Sequence, residues 1–178
     1  MMRGLLLSVS LAASAATIGG TLECAFVEPK NVGRKTDVLL VLDDGGDEGA
    51  AAREFAAAHA MLVVEPKCPV GFPWTDPKAM TELTELVDDV LAKHPSGRVF
   101  VCGAGAGGTG ALAYAGGDSL RVCGVTAFNP RVDDSVTRHI PVFLMPVSVT
   151  IGGADAATAP AAAREFVSTL RFWHPGAI

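Results

Sequence analysis

The residues whose spacing could do chemistry lie in Arg98-Val99-Phe100-Val101-Cys102-Gly103-Ala104-Gly105-Ala106-Gly107-Gly108. A hydrophobic run ends in small residues and passes directly into Thr109-Gly110-Ala111-Leu112-Ala113-Tyr114-Ala115, which is compatible with a helix. This is the G-x-S-x-G spacing of a strand–turn–helix corner. There a serine at the middle position attacks a carbonyl, and backbone N–H groups receive the developing oxyanion. Here the middle position is Gly105, so no hydroxyl is available to attack. Ala106 follows, where the oxyanion-binding N–H would sit. Thr109 comes one helical turn later and is expected to face the sheet or bond its own helix, and Cys102 is expected to point into the sheet. Neither replaces the serine without a base in hydrogen-bond reach.

Other polar candidates are sparse. Asp43 and Asp44 precede Gly45-Gly46. Paired acids beside a glycine turn can bind a cation or repel an anionic substrate. The simpler reading is loop carboxylates favoured by the N-terminus of the next helix. A carboxylate is also a poor neighbour for an oxyanion. Trp74, in a proline loop, is expected to pack, near the mouth of any pocket at the C-terminal ends of the strands. Cys24, Cys68, Cys102 and Cys123 allow three pairings but contain no C-x-x-C motif. Cys102 and Cys123 are expected to be buried free thiols. His59, His94, His139 and His174 show no ligand spacing, and His59 and His94 fall near helix ends, where exposure is expected. No metal and no cofactor is therefore expected. Gly103, Gly105 and Gly108 also fit G-x-G-x-x-G, so NAD(P) binding is an alternative. Against it, the next strand leads into Asn129-Pro130-Arg131 rather than ending in an acid.

At 178 residues the chain suits one domain with a real core. A net charge of -5 without a Lys/Arg cluster argues against nucleic-acid binding. Residues 1–20 hold one arginine and a long uncharged stretch, with Ala13-Ser14-Ala15 as a small-residue cleavage-type site. A leader-like segment is expected there, for the secretory pathway or an organelle. Ser8, Ser10, Ser14, Thr17, Gly19 and Gly20 dilute it as a membrane span.

The elements that must position the corner follow in residues 21–178. Strands are expected at Thr21–Val27, Asp37–Leu42, Met61–Val64, Val122–Phe128 and Ile140–Met145, besides the one entering the corner. Helices are expected at Ala50–Ala60, capped by Asp47, and from Asp76-Pro77 to before Pro95. The second carries a stripe of Met80, Leu83, Val87, Val90 and Leu91. Another is expected from Thr109, and a last one opens at Thr158 to Pro160 with Phe166, Val167 and Leu170 on one face. Strands alternating with helices imply a three-layer α/β fold around a mainly parallel, doubly wound sheet.

The order of these motifs resembles the α/β-hydrolase superfamily, in its phospholipase/carboxylesterase and acyl-protein-thioesterase-like members. The resemblance runs from about Leu22 to the C-terminus. It implies that Asp43-Asp44-Gly45-Gly46 stands where that family has a His-Gly-Gly oxyanion loop. Cys68-Pro69 and Trp74-Thr75-Asp76 are similar to its proline loop and Trp-Phe-Asp segment, and Gly124 to Asn129 to its Gly-Val-x-Ala-Leu-Ser segment. Gly152-Gly153-Ala154-Asp155 resembles the acid loop, making Asp155 the counterpart of the triad acid. His174-Pro175-Gly176 resembles the Pro-Gly that precedes the catalytic histidine, and the sequence ends at Ile178. The expectation is a catalytically inactive protein that binds protein partners as a structural subunit, with a small apolar ligand in a vestigial pocket. An active carboxylesterase or thioesterase with a non-standard nucleophile is the alternative.

Overall fold

A computed structural model describes residues 13–17, 22–42, 48–68, 71–140, 143–152 and 159–173. Among the described residues seven strands form one sheet: β1 (Ala13–Thr17), β2 (Glu23–Val27), β3 (Val38–Leu42), β4 (Leu62–Pro66), β5 (Val99–Ala104), β6 (Val122–Phe128) and β7 (Val147–Thr150). The helices are α1 (Glu48–Ala58), α2 (Pro77–Lys93), α3 (Gly105–Gly117), the short α4 (Asp134–Thr137) and α5 (Ala159–Trp173). The strand order is β1-β2-β4-β3-β5-β6-β7. β3 to β7 run parallel, while β1 and β2 pair antiparallel at one edge. This is the expected mainly parallel, doubly wound architecture. Residues 13–17, within the stretch expected to be leader-like, form the edge strand and pair with β2 in register from Ala13↔Val27 to Thr17↔Glu23.

The layers follow from side-chain alternation. All five residues of β3 are buried, as a central strand covered on both faces requires. Val38, Leu40 and Leu42 join the larger core with residues of α2, α3 and α5, including Leu83, Leu112, Phe166 and Leu170. Leu39 and Val41 turn the other way, onto Ala56 of α1 and Met61. α2 starts as its sequence directs, with Asp76 accepting from the Lys78 N–H at 2.8 Å and Pro77 in the first turn. Its buried face is Ala79, Leu83, Leu86, Val87 and Val90; Met80 and Leu91 are half-buried at the margin.

Two elements depart from expectation. None of the described residues of the expected strand Ile140–Met145 is in a strand: Ile140, Phe143 and Met145 are buried, and the strand is Val147–Thr150, beyond Pro146. Phe143 packs edge-on against Phe166 of α5 and lies close to Gly116 of α3. Its apolar neighbours therefore serve a loop that fills the core rather than a strand. α3 begins at Gly105 rather than Thr109, so the corner has no intervening coil. Glycines disfavour helix intrinsically. Here close contact with β5 and β6 overrides that preference. The proposed Asp47 cap lies outside the described residues.

Candidate functional site

The corner is built from backbone fitted against backbone. Gly103 lies beside Leu42 of β3 and Ala127 of β6 in the sheet register. A Cβ on Gly103 would collide with the Gly107 carbonyl and come within 2.6 Å of the Leu42 oxygen. At Gly108 a Cβ would stand 3.0 Å from both the Gly103 and Phe128 carbonyl oxygens. The first turn of α3 thus sits directly over the ends of two strands, which explains two of the three fingerprint glycines by packing alone.

Gly105, the third, has φ +54°, in the left-handed region. Gly105 and Ala106 are exposed, whereas every residue from Gly107 to Gly116 is buried. The turn therefore keeps an outward-pointing middle position at the C-terminal edge of the strands, without a side chain there. Ala104 precedes the helix in extended conformation and supplies no side-chain cap, and the first turn holds no acid. The positive end of the helix dipole accordingly lies at this exposed corner.

Thr109 holds the corner from beneath. Its hydroxyl accepts from the Arg131 N–H at 2.8 Å. It also lies 3.2 Å from the Gly105 oxygen and 3.1 Å from the Arg131 oxygen, either of which can take its proton. As expected, it bonds its own helix. It also joins that helix to the segment after β6.

Asn129, just beyond β6, takes a left-handed backbone at φ 46°. Its N–H donates to Thr150 at 2.7 Å, and its side-chain oxygen accepts from the Gly152 N–H. The end of β7 and Gly152 are thereby tied to the end of β6. Sequence reasoning did not single out this link, although Asn129-Pro130 directly after a strand is a turn signal.

Trp74 is 1% exposed and packs its Cβ against the backbone of Gly110, near Leu42. Its indole Nε1 is buried and finds no hydrogen-bond partner among the described residues. Asp43, Asp44, Asp155 and His174 lie outside the described residues. Of the sequence-predicted positions, the structure joins Gly105 and Ala106 at the corner and sets Trp74 behind it, against the second turn of α3.

The remaining reactive groups are occupied or remote. Tyr114 donates to Asp118 at 3.0 Å, and burial, then Asp118, push its phenol well above its ordinary range. Cys24 is buried, and burial with Glu23 alongside raises its thiol to about 11, so it stays protonated at neutral pH. The expected burial fails for two of the cysteines: Cys102 is half-buried and Cys123 exposed. Phe100 and Thr126 on the same face of β5 and β6 are likewise half-buried, and Phe128 is exposed, so this face is only partly covered by the described residues. His94 is also not exposed as expected. It is buried, with Nδ1 2.9 Å from the Gly33 oxygen, because the end of α2 packs against that turn. Among the described residues no His/Cys/Asp/Glu group could hold a metal ion, and no helix is long and apolar enough to cross a membrane.

No family model matches the sequence, and no curated protein matches it. Solved structures do. Est1E from Butyrivibrio proteoclasticus is 14% identical, covering 88% of this chain and 84% of its own, with a TM-score of 0.70. A dienelactone hydrolase from Anabaena variabilis ATCC 29413 is 16% identical over 90% of this chain and 81% of its own, with a TM-score of 0.74. A thermostable esterase is 16% identical over 92% of this chain, with a TM-score of 0.69, and this chain spans 52% of its length. At such identities the likeness speaks for architecture, and together with the strand order and the corner it establishes that this chain has the α/β-hydrolase fold.

Proposed function

We propose that this chain is a catalytically inactive α/β-hydrolase-fold protein that works by binding, as a structural subunit of a larger assembly. The observation that carries this reading is Gly105: an exposed, left-handed residue at the β5–α3 corner, in the nucleophile's place and without a side chain. In a well-studied triad enzyme, loss of the serine alone lowers turnover roughly 10⁶-fold. At 1.36 kcal/mol per decade that is about 8 kcal/mol of transition-state stabilisation. Neither neighbouring candidate makes up such a deficit. The Thr109 hydroxyl accepts from the Arg131 N–H and has its one proton within reach of the Gly105 and Arg131 oxygens beneath the corner. Cys102 lies within β5, before the turn. Meanwhile the glycines seat α3 closely on the sheet, which a role in shape requires. Protein partners, and a small apolar ligand over the corner, belong to this reading.

The test is incubation of the purified chain with a serine-reactive fluorophosphonate probe, alongside hydrolysis of simple acyl esters and thioesters. No labelling and buffer-level hydrolysis are expected. Stoichiometric labelling, or turnover abolished by Gly105→Trp, would overturn the reading in favour of an esterase with a non-standard nucleophile.

A further inference from the structure

β3 to β7 are parallel, so all five begin at one end of the sheet, and β2, antiparallel to β4, finishes there at Val27. Cations far apart in sequence meet at this end. Lys30, Arg34 and Lys35 lie between β2 and β3, Lys93 closes α2, and Arg98 and Arg121 immediately precede the paired starts of β5 and β6. The turn between β2 and β3 is seated on the end of α2. His94 Nδ1 lies 2.9 Å from the Gly33 oxygen, and the Ser96 N–H donates to the Arg34 oxygen at 3.1 Å. Arg98 is paired with Asp37, and Arg121 with Asp88 and Asp118. Lys30, Arg34, Lys35 and Lys93 are exposed and form no ion pair among the described residues. Of the acids beside them, Glu28 and Asp89 are likewise unpaired.

Large apolar side chains are exposed at the same end. Val32 is in the turn, Leu120 precedes Arg121, and Leu144 lies shortly before β7. α5 follows the opposite end of β7 and returns: Phe166 already meets Phe143, which precedes β7, with ring centroids 5.9 Å apart. Arg171, Phe172 and Trp173 lie a turn or more beyond Phe166. Leu120 is 91% and Phe172 81% exposed, and Trp173 is exposed as well.

Exposed apolar groups rimmed by cations match a surface that is anionic outside and apolar beneath. We propose that this end of the sheet docks on an anionic phospholipid bilayer. Leu120, Leu144, Phe172 and Trp173 enter the boundary between headgroups and acyl chains, a level that tryptophan favours. The cations of the turn, with Lys93 and Arg171, meet the lipid phosphates and carboxylates. A nucleic acid would answer the cations and leave both leucines in water. A protein partner would need a recess for each projection, whereas fluid acyl chains close around projections from separate elements. The inference is independent of the chemistry at Gly105.

The test is flotation of the full chain with phosphatidylcholine vesicles, made with and without phosphatidylserine. Wild type should float with the anionic vesicles, stay behind with the neutral ones, and be released by high salt, which screens exposed charge. Arg34→Glu/Lys35→Glu and Phe172→Ser/Trp173→Ser should each weaken binding roughly tenfold or more. All four positions are exposed, so both variants should keep the wild-type circular dichroism and melting cooperativity. Two independent variants guard against one misfolding. Tryptophan fluorescence should shift to the blue on anionic vesicles, and the shift should vanish with Trp173, because Trp74 is already buried. Four outcomes would each overturn the proposal: no flotation with anionic vesicles, equal binding to neutral ones, binding of a DNA oligonucleotide in place of vesicles, or full binding by either folded variant. Insertion of the apolar residues 4–11 alone would give the last of these.

Discussion

The hydroxyl of Thr109 accepts from the Arg131 N–H at 2.8 Å while lying within hydrogen-bond distance of the Gly105 oxygen, so one buried side chain ties the corner to the segment after β6. Thr109→Val keeps the shape and removes these bonds. An Arg131 N–H left without its partner costs roughly 1–3 kcal/mol. The urea midpoint of Thr109→Val should fall accordingly with unchanged slope, and Thr109→Ser should restore most of the loss.

Gly110 and Gly117 lie in one helix and should respond to alanine with opposite signs. Alanine is worth about 1 kcal/mol over glycine in a helix. At Gly110 the added Cβ would run into the Cβ of buried Trp74, an overpacking that costs about 1–3 kcal/mol. At Gly117 the nearest atom, on His139, is 3.9 Å away. Thermal melts should show Gly110→Ala destabilised and Gly117→Ala stabilised.

Asn129 combines a left-handed backbone with a side-chain bond to the Gly152 N–H. Asn129→Ala loses both features, at about 1 kcal/mol for the backbone and about 1 kcal/mol for the bond. Asn129→Gly loses only the bond, so denaturant midpoints should rank wild type above Asn129→Gly above Asn129→Ala.

Two groups predict how stability depends on pH. The Arg98 side chain, which bonds Asp37, holds that carboxyl below its usual range. The folded state keeps this charge more readily than the unfolded state. The resulting stabilisation is fully present above the unfolded value, about 4, and is lost as pH falls through the folded value. Burial, then Arg138, pushes the His139 imidazole below 6.5. Its unfolded form therefore takes up a proton first, and stability declines as pH drops below about 6.5 toward the folded value. Urea titrations across this range should show His139→Gln flattening the upper limb and Asp37→Asn the lower.

Much of this architecture was legible in the residues, and the failures have local causes. The unbroken apolar run Val38–Leu42 and the Asp76-Pro77 start led directly to β3 and α2, because burial on both faces and capping chemistry are written in adjacent residues. β7 was missed although Val147-Ser148-Val149-Thr150 alternates with a period of two. The more apolar Ile140–Met145 competed for the assignment, and hydrophobicity alone cannot separate a core-filling loop from a strand. The turn at Gly105 and Ala106 is legible because the spacing that makes it is local. The tie between Asn129 and Gly152 spans 23 residues and depends on how β6 and β7 pair, which no local pattern encodes.

Gly105→Ser tests the corner from the other side. A side chain in left-handed backbone costs about 1–2 kcal/mol, so the variant should melt lower, while hydrolysis of p-nitrophenyl esters stays at the buffer rate.

That cost has a counterpart in the native chain. A residue bearing Cβ at φ +54° would hold this corner under conformational tension, and the surrounding body would have to restrain it. Glycine occupies the same angles at rest. The junction is thus a relaxed joint rather than a sprung one, and the remainder of the sheet and its helices is spared the duty of keeping it bent.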